Sequence, residues 1–229
     1  MTTIRDNLQT IGAKLTEYSN FYHRAPSDVQ LLAVSKKHPV EAIEEAYIFG
    51  QRAFGENYVQ ELLDKAEYLQ KLNIEWHFIG PLQSNKTKKI AELVDWVHTI
   101  DRLKVAKRLS DQRPEELPSL NICIQVNISG EATKSGIMAT EVETLAQEIS
   151  KLPRLKLRGL MTIPSTEANF EKQRQTFAEV TNLKNNLNQQ GFELDTLSMG
   201  MTGDMKAAIA EDATIVRIGT AIFGARDYN

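Results

Sequence analysis

Lys36 closes the apolar run Leu31–Lys36 (LLAVSK), and a primary amine at the end of a strand-like segment is a candidate nucleophile. At an ordinary pKa of about 10.4, only about 0.04% of such an amine is neutral at pH 7. Covalent chemistry therefore needs burial or a neighbouring cation to favour the neutral form. The plainer alternative is a strand-end lysine reaching into solvent. Lys37 offers a second amine, but alternation along a strand sends adjacent side chains to opposite faces, so only one of the two can enter a shared site. Arg217 interrupts another apolar run (Ile215, Val216, Ile218) and shares a face with Ile215 and Gly219. A buried guanidinium needs an acceptor, either a carboxylate such as Asp101 or Glu56 or an atom of a ligand. Two segments of small residues, SMGMTGD (Ser198–Asp204) and VRIGTAIFG (Val216–Gly224), allow backbone to approach an anion. Ser198, Gly219 and Thr220 are the candidate anion contacts, and Asp204 is placed to cap the helical run that follows.

These residues need elements to position them. Short β-branched runs fall at Gln30–Lys36, Ala53–Asn57, Glu75–Ile79, Trp96–Ile100, Asn121–Asn127, Lys156–Thr162, Thr196–Met199 and Ile215–Phe223, with helical periodicity between them. A leading helix over Ile4–Arg24 carries Ile4, Leu8, Ile11, Leu15 and Tyr18 as one apolar stripe. Eight β-then-α units predict an α/β fold: a single (β/α)8 TIM barrel with an extra N-terminal helix, one domain over residues 1–229. An open doubly wound sheet fits less well, because no G-x-G-x-x-G follows the first strand. Barrel chemistry sits at the C-terminal strand ends. There the sequence places Lys36, Glu56 and Asn57, His77, Asp101, Asn127, Met161 and Thr162, Ser198, and Arg217 with Gly219 and Thr220.

Composition narrows the classes. The 229 residues carry 27 basic and 30 acidic side chains, a net charge of −3 with interspersed signs, which gives no basic stripe for nucleic acid. Cys123 is the only cysteine and lies between Ile122 and Ile124, a small buried hydrophobe with neither disulfide nor thiolate metal cluster to join. No signal-like or membrane-spanning apolar stretch is present, so a soluble cytoplasmic chain without membrane partners is expected, and a monomer in the absence of an apolar patch motif.

A reactive lysine, a phosphate cradle and an inward arginine at one barrel mouth match a cofactor with an aldehyde, a phosphate and a ring acceptor, and pyridoxal 5′-phosphate has all three. Lys36 would form an imine, the cradle would take the phosphate, and Arg217 would donate to the pyridine nitrogen. AVSK (Ala33–Lys36), FGENYVQE (Phe54–Glu61), WHFIGPLQSNK (Trp76–Lys86), RGLMTI (Arg158–Ile163), LSMGMTGD (Leu197–Asp204) and VRIGTAIFG carry the resemblance further. Together, and nearly end to end, they resemble the YggS/PROSC family of pyridoxal phosphate homeostasis proteins, which is similar to the N-terminal barrel of alanine racemase, the fold-type III architecture. The resemblance implies Lys36 as the Schiff-base lysine and Arg217 at the pyridine nitrogen. It implies Ser198, Gly219 and Thr220 around the phosphate, Asn57 and Met161 lining the ring, and His77 as a further contact that a core histidine would equally explain. It also implies a loop over the site at GEATKSGI (Gly130–Ile137), where Lys134 is either a phosphate contact or a solvated lysine.

The expected role is a binding protein that stores or delivers pyridoxal phosphate, with apo-enzymes that need it as candidate recipients. Arginine only donates, so it favours an unprotonated pyridine nitrogen and a weaker electron sink. Racemisation would need a second base facing Lys36. In alanine racemase that base comes from a further domain, for which a barrel occupying the whole chain leaves no room, and Tyr58, His77 and Tyr228 are the remaining candidates. The rival readings are a low-activity amino-acid racemase and a cofactor-free, lysine-dependent aldolase-like barrel.

Overall fold

The computed structural model describes residues 3–131 and 134–225. Helix α1 (Ile4–Phe21) precedes the first strand. Its start is a capping box: the Thr3 hydroxyl accepts the Asp6 N–H, and the Asp6 carboxylate accepts the Thr3 N–H. Ile11 and Leu15 are buried, and Ile4, Leu8 and Tyr18 pack against the same core, so the expected stripe is the helix's inner face.

The strands are β1 (Gln30–Val34), β2 (Ala53–Glu56), β3 (Glu75–Phe78), β4 (Trp96–Ile100), β5 (Leu120–Gln125), β6 (Leu155–Met161), β7 (Thr196–Ser198) and β8 (Ile215–Ile218). Each pairs in parallel with the next, and β8 closes on β1 with Gln30 opposite Ile215 and Ala33 opposite Ile218. Parallel neighbours require crossovers. These are α2 (Val40–Ile48), α3 (Val59–Tyr68), α4 (Thr87–Leu93), α5 (Leu103–Gln112), α6 (Val142–Ile149), α7 (Phe170–Gln189) and α8 (Met205–Ala210), with α9 (Thr220–Phe223) after the last strand. The result is a TIM barrel behind an N-terminal helix.

Most strands start or end within two residues of expectation, and the two ends that matter most for the mouth are those of β8 and β1. The last strand stops at Ile218: Gly219 turns the chain, and its carbonyl accepts the N–H groups of Ile222 and Phe223, so 220–223 is helix α9. A local apolar run does not reveal that the partner strand has ended. Asn7 Nδ2 donates to Ile222 O at 2.8 Å and ties α9 to α1. The first strand likewise ends at Val34, which leaves Lys36 in a turn beyond it.

Alternation sorts the strand side chains. Val216 and Ile218 join the main core between barrel and helices. Leu32, Val34, Ala53, Ile79 and Ile215 form a separate cluster, and Trp96, Cys123 and Met161 another. Each fully buried large aliphatic or aromatic side chain contributes roughly 1.5–3 kcal/mol. This packing makes the barrel a rigid frame for its mouth.

Candidate functional site

At the C-terminal ends of the strands lies a cavity of about 170 Å³. Of the residues expected from sequence, it brings together Lys36, Asn57, Arg217, Gly219 and Thr220. Val34, Ile79 and Ile163 give it apolar walls. Met201 and Thr202 also face it. Both belong to the SMGMTGD segment, so the segment was recognisable, but not which of its residues would face the cavity.

Lys36 is half-buried and continues the inward series of Leu32 and Val34. Lys37 is exposed, and its backbone lies in the left-handed region at φ 62°. Asn57 brings an acceptor: its Oδ1 is buried without a hydrogen-bond partner among the described residues. The end of β3 presses against it so closely that a Cβ on Gly80 would lie 2.0 Å from Asn57 O.

Arg217 is buried, and neither carboxylate proposed for it pairs with it. Glu56 is bonded to Lys65 at 2.7 Å and Asp101 to Arg102 at 2.8 Å. Instead Arg217 Nη1 donates to Ser198 Oγ at 3.0 Å and Nη2 to Thr162 O at 2.9 Å. A guanidinium has five N–H donors, so others remain for a further acceptor. Burial pushes the group down to about 10, against the pull of Asp204, and it stays cationic at neutral pH. Asp204 does not cap α8 with its side chain: Oδ1 accepts the Met201 N–H at 2.5 Å and shapes the loop instead. Burial raises its carboxyl.

Ser198 lies beneath the cavity. Its hydroxyl sits between Arg217 and His98 Nδ1, 2.8 Å away. The chain continues from His98 Nε2 to His77 Nδ1 at 2.8 Å and from His77 Nε2 to Glu75 Oε1 at 3.1 Å. One set of proton positions satisfies every contact. Arg217 donates to Ser198, Ser198 to His98 Nδ1, His98 Nε2–H to His77 Nδ1, and His77 Nε2–H to Glu75. Burial, aided by the nearby His77 and Arg217, holds His98 well below its ordinary value, which keeps it neutral as this order requires. The His77 hydrogen bond holds the Glu75 carboxyl below the usual range, with Trp96 Nε1 and Gln30 Nε2 also donating to it. His77 stacks on Trp96 inside the barrel and does not line the cavity. Its partner His98 was missed, because the bond to Ser198 spans 100 residues.

Met161 is fully buried beside Trp96 and Cys123, below the cavity lining. Burial pushes the Cys123 thiol up to about 12, so it is inert. Lys134 Nζ donates to Ser165 Oγ at 2.9 Å and lies 3.7 Å from Glu131. It lines a neighbouring cavity of about 420 Å³ that shares Ile163 and Met201 with the first. Asn127 Nδ2 supports that loop through Glu131 O at 2.8 Å. Tyr58 is half exposed and faces another cavity on the far side of Asn57, and Tyr228 lies outside the described residues. Among the described residues no group of three or more His, Cys, Asp or Glu side chains could hold a metal, and no helix is long and apolar enough to cross a membrane.

A closed parallel barrel with a lysine, a buried arginine bonded to neutral oxygens among the described residues, and two small-residue loops at its C-terminal mouth has counterparts of known structure. The family described as alanine racemase, N-terminal domain, matches residues 7–227. An alanine racemase from Corynebacterium glutamicum superposes with a TM-score of 0.68 at 17% identity, over 97% of this chain and 60% of that one, a likeness of fold. PipY of Synechococcus elongatus, solved with PLP bound, superposes with a TM-score of 0.83 at 36% identity, over 97% of this chain and 100% of that one. A pyridoxal phosphate homeostasis protein of Vibrio alginolyticus is 56% identical over 233 residues, covering all of both chains. The chain belongs to this family of pyridoxal phosphate homeostasis proteins, within the alanine racemase N-terminal domain group.

Proposed function

We propose that this chain binds pyridoxal 5′-phosphate at the barrel mouth and serves its homeostasis, holding the cofactor and releasing it to apo-enzymes that need it. The observation that carries this reading is convergence: Lys36, Asn57, Arg217 and the loops after β7 and β8 line one cavity. The residues present fit the group. Among the described residues, Asn57 Oδ1 is a buried acceptor without a partner and Arg217 keeps donors that no carboxylate occupies. The names of the V. alginolyticus relative and of the PLP-bound PipY structure support the same reading.

When bound, the cofactor supplies an aldehyde that condenses reversibly with a primary amine. Lys36 provides that amine. Thr202, Gly219, Thr220 and the start of the short α9 would hold the phosphate, since barrels commonly bind phosphate after strands seven and eight. Arg217 would donate to the ring nitrogen and, having no proton acceptor of its own, would favour the unprotonated ring. Ser198 serves by holding Arg217, and Met161 and His77 by filling the barrel beneath it.

A binding role is favoured over catalysis because, among the described residues, neither candidate second base lines the Lys36 cavity, Tyr228 lying outside them. Tyr58 lines a different cavity, and both ring nitrogens of His77 are engaged inside the barrel. We propose further that the chain works as a cytoplasmic monomer and as one domain, the closed barrel with its N-terminal helix supporting the single domain. The test is colour and chemistry: protein incubated with pyridoxal phosphate should turn yellow, and borohydride should fix a phosphopyridoxyl group on the peptide containing Lys36. A colourless, unlabelled protein ends the cofactor reading. Sustained exchange of the α-hydrogen of amino acids in deuterated water would replace storage with racemisation.

A further inference from the structure

Behind the mouth, between the barrel and α3, an ion cluster lies outside the cavity. Lys65 is buried, and its Nζ donates to Glu56 Oε1 at 2.7 Å, Glu61 Oε1 at 2.7 Å and Ser35 O at 2.8 Å. The same Glu56 oxygen accepts the Ser35 hydroxyl at 2.6 Å, and the same Glu61 oxygen accepts the Lys37 N–H at 2.5 Å. Three side chains from the end of β2 and from α3 therefore grip the backbone on both sides of Lys36. Ser35 is held before it and Lys37 after it, while the His38 N–H closes the turn on Ser35 O at 3.1 Å. Lys37 sits at φ 62°, a strained conformation for a non-glycine residue that persists only where the surroundings over-determine it.

Stability alone does not account for this arrangement. Burial pushes the Glu56 carboxyl up, against the pull of Lys65. Buried ion clusters of this kind are often replaceable by apolar residues without loss of stability. The strand does not need it either, since β1 has already ended at Val34. What the cluster does fix is the turn that carries two adjacent lysines.

We propose that Lys65, Glu56 and Glu61 form a positioning clamp that sets the 35–37 turn so that the Lys36 amine, and not that of Lys37, enters the cavity. The proposal rests on the reading of Lys36 as the cofactor's covalent anchor and adds the residues that select it. In that attachment the amine nitrogen displaces the aldehyde oxygen, which leaves as water. Misplacing a reacting group by about 1 Å can cost about a hundredfold in rate, and in a loosened turn the neighbouring amine competes.

The experiment incubates the full-length protein with pyridoxal phosphate, quenches with borohydride at timed intervals and measures label on Lys36 and Lys37 by peptide mass spectrometry. Lys65→Met and Glu61→Gln are compared with the unsubstituted chain and with Arg158→Met, a destabilising change at the opposite end of the barrel. Thermal unfolding is followed for each. In Lys65→Met the ratio of Lys36 to Lys37 label should fall by about tenfold or more, in Glu61→Gln by less, and in Arg158→Met not at all. If Lys65→Met does not fold, Glu61→Gln decides. Variants that label Lys36 as fast and as selectively as the unsubstituted chain overturn the clamp and leave the anchor standing. An unsubstituted chain that takes no label at Lys36 overturns the anchor, and the clamp with it.

Discussion

Arg158 on β6 and Arg217 on β8 sit toward opposite ends of the same barrel, and their surroundings differ in kind. Arg158 has its charge answered within the protein. Its Nε and Nη2 meet the Asp195 carboxylate at 2.7–3.0 Å, its Nη1 meets Asn121 Oδ1 at 3.0 Å, and its guanidinium lies 4.9 Å from the centre of the Trp96 ring. Arg217 is more deeply buried, yet its bonds run to two neutral oxygens. At the N-terminal end a cation is hydrogen-bonded to its carboxylate, while at the mouth a buried cation feels Asp204 only at longer range and, among the described residues, hydrogen-bonds to no carboxylate. Burial of a charge is therefore weak evidence of function, and an uncompensated buried charge facing a cavity is stronger evidence. The two ends are linked by the hydrogen-bonded chain from Glu75 through His77, His98 and Ser198 to Arg217.

The sharpest way to break this contrast is at the anchor. Lys36→Ala should abolish borohydride-trapped cofactor, whereas Lys37→Ala should leave it unchanged, as read by the mass of the labelled peptide. The arginines come next. Arg217→Met should weaken pyridoxal phosphate binding about ten- to hundredfold, the worth of one hydrogen bond to a charged group. Arg158→Met should leave affinity within about twofold and cost about 1 kcal/mol of stability or less, because its ion pair is partly exposed. Equal losses of affinity, measured by absorbance titration, would erase the distinction between the ends.

Two smaller effects concern the chain between them. His98 is held neutral in the fold, so below its ordinary pKa of 6.5 the unfolded chain binds a proton that the folded one does not. Stability should therefore fall as pH drops from about 7 toward 5, by up to about 1.4 kcal/mol per unit, and His98→Asn should flatten that slope in denaturant titrations. Glu75 is lowered too, but in a carboxylate that favours the charged form. Its lowered value gives a contribution that is complete above its ordinary 4.5 and is lost as pH falls through the folded value. Glu75→Gln should remove that part of the acid sensitivity without altering cofactor uptake at pH 7.

Much of the frame was legible along the chain. The β-then-α alternation implied a barrel, the i, i+3, i+4 stripe implied α1, and period-2 alternation sent Lys36 and Lys37 to opposite faces. These signals are local, since a few neighbouring residues suffice to write each of them. The sequence also located both loops of the mouth and singled out Arg217 as a charge with no local reason to be buried. It could not say which atoms of those loops face inward. Ser198 was expected at the anion but lies beneath Arg217, and Met201 and Thr202 took the exposed positions instead.

What the sequence by itself determined was a parallel barrel, its chain order, and a lysine and an arginine at its C-terminal ends. Only the tertiary structure decided that Arg217 hydrogen-bonds to Ser198 and Thr162 and, among the described residues, to no carboxylate, that His77 belongs to an interior chain through His98, and that Lys65 grips the turn of Lys36. The physical reason is that side-chain partners are chosen by distance in space, and barrel closure brings residues 19 to 100 positions apart within hydrogen-bonding reach. No periodicity along the chain encodes which of several donors and acceptors will meet once it closes.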